Sequence, residues 1–382
     1  MSRGTGGVPG GMTGARLTVL FTLAAVGAAI ALSAGLIATT GGSPVGSVHA
    51  LYEGSMADAT AWSTTLLNTG PLLLVAVGTC IAARGGVFSI GQEGQVLVGS
   101  LGGAFIALRL AVTGPLMVVL ILSGAAVAGG AWAALSALMY RLRGVNIVVS
   151  TLLMTFLAQQ LVSYVVSAPW LLQESRTGSG TVDPQSNQIP LTSRLGSLGK
   201  YPGLQISIGL LLALAVAAAA AVALDRSRWG MRLTMLGLNP RTARHAGVRA
   251  GAMTTAALTL TGALAGLAGA LLLTTPISTN RLQPGISDNI GWDGLLVALV
   301  ARNQPLIAVP VSLLFGVLRA GGDFLAATGV PPYLVDVVKG LLVLAFVVPP
   351  ALTTRLRRAP AATPDAEDPT AVPARRPQEA SA

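Results

Sequence analysis

Charged residues are scarce in this chain of 382 residues, at 10% of the total. Soluble domains carry about 25%, so a water-facing surface of the required size cannot be built, and a soluble globular fold is excluded. Aromatic residues are also few, at 4%. Cys80 is the sole cysteine, which rules out an internal disulfide and makes a Cys/His metal site implausible. The two histidines, His49 and His245, fall in regions expected on opposite sides of a membrane, so they share no metal. There is no Gly-x4-Gly-Lys-Ser/Thr phosphate loop, so the chain is not itself an ATPase. His-Glu-x2-His and Gly-x-Ser-x-Gly are absent as well, leaving intramembrane hydrolysis without machinery. No catalytic residue, metal ligand or bound cofactor is assigned.

What the sequence does have is apolar length. Hydrophobic residues make up 52% of the chain and collect in long runs. About 20 such residues cross a hydrocarbon core of about 30 Å. The net charge of +10 comes from arginines in short loops between these runs. That is the pattern of cytoplasmic topology markers, and it excludes nucleic acid as the partner. The first run, residues 16–38, is longer than the roughly 7 to 15 apolar residues of a cleaved signal, and it reads as a retained helix.

Charge placement then orders the chain as an all-α polytopic bundle of about ten spans with both termini cytoplasmic. A cytoplasmic N-terminus (1–15) precedes the transmembrane domain, 16–352. The segment 41–61, which has no Lys or Arg but carries Glu53 and Asp58, reads as an outside loop. Spans are expected at 62–83, 95–112, 115–139, 145–167, 204–224, 251–274, 306–320 and 332–351, with a half-length run at 291–301. The polar stretch 168–203 is expected outside. Residues 225–250 carry Arg226, Arg228, Arg232, Arg241, Arg244 and Arg249 against Asp225, the strongest cytoplasmic marker present. The tail 353–382 lacks apolar periodicity and reads as disordered. Gly262, Gly266 and Gly269 put small residues on one helical face, as close bundle packing requires.

Four stretches carry candidate function. Between the second and third spans, four glycines accompany Gln92, Glu93 and Gln95. An ionisable residue beside long apolar runs faces a cavity or a partner, so this is either a broken helix on a pathway or a short turn with a solvated glutamate. Asn146 and Ser150, then Thr151, Thr155, Gln159 and Ser163, recur four apart. They form a polar stripe on one helix face, lining a pathway or bonding to neighbouring helices. Asn239 and Pro240 form a helix start signal and Gly247 a stop. They enclose a short basic helix with Arg241, Ala243, Arg244 and His245, which looks built to be gripped. Finally, a half-length apolar run with Trp292 and Asp293 ends at Arg302-Asn303. It parallels the first stretch, and such paired interruptions point to a central binding site in transporters.

In order, these stretches resemble permeases of the branched-chain amino acid and simple-sugar group of ABC importers. The nearest subgroup imports nucleosides with basic-membrane-protein-type lipoproteins. Its Phe-Asn-Ile-Gly-x-Glu-Gly-Gln is similar to Phe88-Ser89-Ile90-Gly91-Gln92-Glu93-Gly94-Gln95, with Ser89 for the usual Asn. Its Val-Asn-Glu-Val-Ile-x-Thr-Leu is similar to residues 145–152, with Ile147 in place of the acidic residue. Gly-x-Asn-Pro-x-Ala-Ala-x-x-Ala-Gly is matched at 237–247 with Thr242 at the first Ala, and the Gly-Phe-Asp-Gly run at 291–302. Phe315-Gly316-Val317-Leu318-Arg319-Ala320-Gly321-Gly322 follows in register, and the likeness spans about 60–350.

The resemblance implies a multi-pass cell-membrane permease subunit, paired with a second homologous permease as a heterodimer and surrounded by membrane lipids. ATP would bind only to partner ATPase subunits, docked on the 239–247 coupling helix. An extracytoplasmic lipoprotein would deliver substrate, a nucleoside or else a simple sugar. Glu93, Gln95, Asn146 and Asp293 would lie near the pathway. An ion-coupled secondary transporter working alone shares the paired interrupted helices and is the rival reading.

Overall fold

The computed structural model describes residues 10–39, 43–175, 183–198, 203–275, 279–327, 336–341 and 343–345. Its helices are α1 (Gly10–Thr39), α2 (Pro44–Ser55), α3 (Ala59–Arg84), α4 (Gln92–Arg109), α5 (Pro115–Arg143) and α6 (Ile147–Ser167). They continue as α7 (Ile208–Arg226), α8 (Arg228–Leu238), α9 (Pro240–His245), α10 (Ala250–Thr274), α11 (Ile290–Val300) and α12 (Pro305–Ala327). Residues 336–341 and 343–345 are also helical. One two-residue antiparallel pairing, Ser197–Leu198 with Ile206–Ser207, closes the polar segment before α7.

The chain is an all-α polytopic membrane protein. Among the described residues six helices (α3, α5, α6, α7, α10 and α12) are long and apolar enough to cross a bilayer. A seventh span results if α1 and α2, bent by 108° at their junction, count as one. The expected third span is α4, whose first turn carries Gln92, Glu93 and Gln95 and so dilutes its apolar character. The half-length run is α11, 11 residues and about 16 Å long at 1.5 Å per residue, half a hydrocarbon core. Most of the expected tenth span (332–351), the tail 353–382 and residues 1–9 lie outside the described residues.

One expectation is corrected. The segment 41–61, read as an outside loop, contains the helix α2. Ser43 caps it, its Oγ accepting from the Gly46 N–H at 3.2 Å, with Pro44 at the first helical position. Polar residues masked this helix, but Leu51 and Gly54 pack against Gly321 and Phe324 of α12.

Helix crossings rest on missing side chains. α10 runs between α4 and α5, and a Cβ on Gly129 of α5 would stand 2.5 Å from the Gly262 carbonyl oxygen of α10. A Cβ on Gly266 would overlap the Ala125 carbonyl oxygen, and one on Gly99 the Gly266 backbone. Lipid gives no hydrophobic drive for helices to associate, so such close backbone contact is what holds them together.

α6 and α7 fix the two ends of the bundle. α6 starts just after Arg141 and Arg143, and α7 ends at Arg226, so the connection between them lies at the end opposite the arginine clusters. At that far end Arg109, closing α4, donates to the Trp170 and Leu171 carbonyls at 3.0 and 2.7 Å. Leu195 N donates to the Thr274 carbonyl at the end of α10. From there residues 279–289 run without regular structure down to the start of α11, where a Cβ on Gly291 would overlap the Glu93 backbone. Glu93 lies 16 residues before Arg109 on α4, about 24 Å along the axis. Residues 279–289 therefore carry irregular backbone to membrane depth, tolerated only inside protein or beside water.

Candidate functional site

Glu93 sits at the meeting point of two interrupted helices. It is 3% exposed, in the first turn of α4, and accepts from the Gly291 N–H at 2.8 Å and from the Ser287 hydroxyl. The solvated-turn reading is thereby overturned: the carboxylate ties the start of α4 to the start of α11. The first-turn N–H groups of a helix have no intrahelical partner and favour an anion nearby, and Gly291 supplies one of them. Beside this tie lies a cavity of about 290 Å³ lined by Glu93, Leu97, Gln159, Ser163, Pro284 and Ser287. Carboxylate, amide and hydroxyls thus converge beside apolar wall residues, as in small-molecule sites.

The rest of the expected set divides. Gln92 is buried and donates to Thr79 Oγ1 of α3 at 3.2 Å. Gln95 is buried with its Oε1 unpaired, and the half-buried Asn303 likewise has an unpaired Oδ1. The polar stripe of α6 is split by depth. Ser150, Thr151 and Thr155 donate to carbonyls of their own helix, while Gln159 and Ser163 reach the cavity. Asn146 caps α6 at the basic end, accepting from the Val148 N–H at 2.9 Å. Trp292 is half-buried on α11.

Asp293 anchors a second, charged centre. It is 5% exposed and accepts from Arg319 and Lys339, each at 3.2 Å. Arg319 also pairs with Asp288, and Lys339 with Asp336 at 3.1 Å. Sequence reasoning assigned no role to Ser287, Asp288, Arg319 or Lys339. A signal for Arg319 was available, since an ionisable residue inside an apolar span is functional by default.

At the basic end, Asn239 caps α9 as expected, its Oδ1 accepting from the Arg241 and Thr242 N–H groups at 3.0 and 3.2 Å. Pro240 opens the helix, and Gly247 beyond it takes φ +78°. Ala243 is fully buried with Leu236 and Val248, which turns Arg241, Arg244 and His245 outward. A Cβ on Gly237, at the end of α8, would overlap the Arg84 carbonyl oxygen, and one on Gly86 would stand 2.9 Å from Gly237 Cα. The α8–α9 hairpin therefore presses on the turn that leads from α3 toward Glu93.

Outside the spans, the far-end segment is fastened to residues 279–289. Glu174 pairs with Arg281 and accepts from Gln185 Nε2 at 2.8 Å. Leu282 N donates to Ser186 Oγ at 2.8 Å, and Ile189 N to the Asn280 carbonyl at 2.8 Å. The hydrogen bond from Arg281, then that from Gln185, holds the Glu174 carboxyl below its ordinary pKa.

A bundle with paired interrupted helices around a polar cavity is the architecture of a membrane permease. Residues 62–347 match the family described as the branched-chain amino acid transport system permease component, and the chain belongs to that family. It is a multi-pass cell-membrane protein and an ABC transporter permease, one component of a transport system. It is 30% identical to a glucose ABC transporter permease protein of Haloferax volcanii, over 87% of this chain and 86% of that one. It is 26% identical to a nucleoside ABC transporter permease protein of Lactococcus lactis, over 86% and 91% of the two chains. Identity to a guanosine ABC transporter permease protein of Bacillus subtilis is also 26%, over 85% and 92%. No solved structure matches the chain.

Proposed function

We propose that the chain is the translocating subunit of an importer for nucleosides, and that the cavity beside Glu93 lies on the substrate route. The observation that carries this is the convergence of Glu93, Gln159, Ser163 and Ser287 on one space at the junction of α4 and α11. Ribose hydroxyls need acceptors and donors of this kind, while Leu97 and Pro284 offer the apolar wall a base would stack on. Gln92, Gln95, Asn146, Ser150, Trp292, Asp293 and Asn303 belong to the route or its immediate support.

In this reading the chain crosses the membrane ten times with both termini in the cytoplasm, and the basic end faces the cytoplasm. It pairs with a second homologous permease. ATP binds and is hydrolysed on separate ATPase subunits that grip α9 through Arg241, Arg244 and His245. Closure of the ATPases pushes α8–α9, and the Gly237–Gly86 contact carries the push to the segment preceding Glu93. An extracytoplasmic lipoprotein delivers substrate to the opposite end. Alanine substitutions across residues 239–245 should uncouple ATP hydrolysis from transport, and unchanged coupled hydrolysis would remove the docking role.

Radiolabelled nucleoside uptake in cells lacking the gene and in the complemented strain tests the substrate, with ribose and glucose as competitors. Loss and restoration of uptake, insensitive to either sugar, is expected. A second reading, a simple sugar, draws on the 30% identity to the glucose permease. Nucleoside uptake unchanged in the deletion would favour it and leave the permease role intact.

A further inference from the structure

Two cavities meet at one turn. The first is the space beside Glu93. The second, about 330 Å³, is bounded by Arg319, Asp323 and Ala326 of α12 and by Asp336 and Lys339. Asp288 and Asn289 line both, so the turn before α11 is the partition between them. Its backbone is left-handed, with φ +41° at Asp288 and +63° at Asn289. Asp and Asn tolerate that region better than most residues, yet it is not their preferred one.

The partition is fastened by the Asp288–Arg319 ion pair. The two partners are unequal: the Arg319 side chain is 7% exposed and that of Asp288 69%. Arg319 is further held by Asp293 at 3.2 Å, so Asp288 is the partner free to leave. A replacement stands on Arg319's own helix. Asp323 is four residues on, faces the second cavity, and makes no hydrogen bond or ion pair among the described residues. Residues four apart on a helix reach each other, and the order Arg before Asp is the weaker of the two, which keeps such a pair from dominating.

We propose that Arg319 alternates between Asp288 and Asp323, and that release of Asp288 opens the partition and joins the two cavities into one passage. Released, the Asp288 carboxylate accepts hydrogen bonds from hydroxyls of an uncharged substrate, which thereby competes with the guanidinium. Arg319 and Asp323 are positioning residues in this exchange. The inference rests on the reading that the first cavity lies on the substrate route.

The test uses the full transporter complex in membrane vesicles, with Cys80→Ala removing this chain's one thiol and the Cys80→Ala complex without a reporter as the labelling blank. Ser163→Cys and Ala326→Cys, introduced separately, report on the two cavities through their rates of reaction with a charged methanethiosulfonate reagent added from one side. Asp288→Asn should speed the slower reporter at least 10-fold, and Asp288→Glu should restore the original rate. Asp323→Asn should slow the same reporter several-fold and raise the half-saturation concentration of uptake, because substrate then competes with a tighter Arg319–Asp288 pair. An unchanged slow reporter in an assembled Asp288→Asn complex overturns the proposal. So does an Asp323→Asn complex that matches the parent in both reporter rate and uptake. Failure of the route reading looks different: uptake would persist with both reporter positions fully modified.

Discussion

The Glu93 tie can be separated into its structural and its transport contributions. Replacing Glu93 by Ala strips the acceptor from two buried donors, the Gly291 N–H and the Ser287 hydroxyl. A buried donor left unpaired costs about 1–3 kcal/mol. The cavity alongside lets water reach Ser287, so the expected loss lies at the lower end, about 2–3 kcal/mol for the pair. Glu93→Gln keeps a carbonyl oxygen for Gly291 and turns an amide toward the Ser287 oxygen, so its loss should stay under about 1 kcal/mol. Thermal unfolding of the purified protein in detergent, followed by tryptophan fluorescence, reads the difference. At about 2 °C per kcal/mol for a chain of this size, Ala should lower Tm by about 4–6 °C and Gln by about 2 °C or less. Uptake then separates the roles: a Gln variant that is stable but transport-dead assigns the charge to substrate handling. Equal Tm losses for Ala and Gln, or no loss for Ala, would refute the tie.

Asp293→Asn leaves Arg319 and Lys339 short of a buried countercharge. About 3 kcal/mol of destabilisation is expected, partly reversed in the double variant Asp293→Asn/Lys339→Met, with Tm as the readout. Gly266→Ala drives a methyl into the Ala125 carbonyl and should cost about 1–3 kcal/mol, whereas Gly35→Ala, with open space around it, should be neutral or stabilising. The lowered Glu174 pKa makes the Arg281 clasp a contribution present above the unfolded carboxylate's pKa of about 4.3 and lost as pH falls through the depressed folded value. The Tm gap between the parent and Glu174→Gln should therefore close as pH drops below about 4, and a gap constant from pH 7 to 3 would contradict it. Asn239→Ala should destabilise α9 by about 1 kcal/mol, seen as faster amide exchange across residues 240–245.

Much of this was legible in the sequence, for reasons that differ by residue. The apolar runs and arginine clusters announced α3, α5, α6, α7, α10 and α12, because burial in lipid demands unbroken apolar length. Asn239-Pro240 and Gly247 located α9 because capping is local chemistry. The prominence of Glu93 was legible; its partners were not, since Ser287 and Gly291 lie about 200 positions away and are brought to it only by the descent of residues 279–289. The α6 stripe was legible as a face, but helical periodicity gives no depth along the axis. Only Gln159 and Ser163 stand high enough on that face to reach the cavity. α2 escaped because its seam against α12, made by Ala50, Leu51 and Gly54, is short and mostly of small residues that carry little apolar signal.

The glycine seams among α4, α5 and α10 have a mechanical consequence. Where backbone lies on backbone, as at Gly129 against Gly262, there is no side-chain layer to shear and no second way to interlock. Any working stroke must treat these three helices as a stator. The moving parts are then the pieces outside that frame that ion pairs and hydrogen bonds fasten to one another: the descending segment 279–289, held by Glu93 and Glu174, and α12 through Arg319. Such a machine turns over by exchanging polar fasteners around a fixed frame.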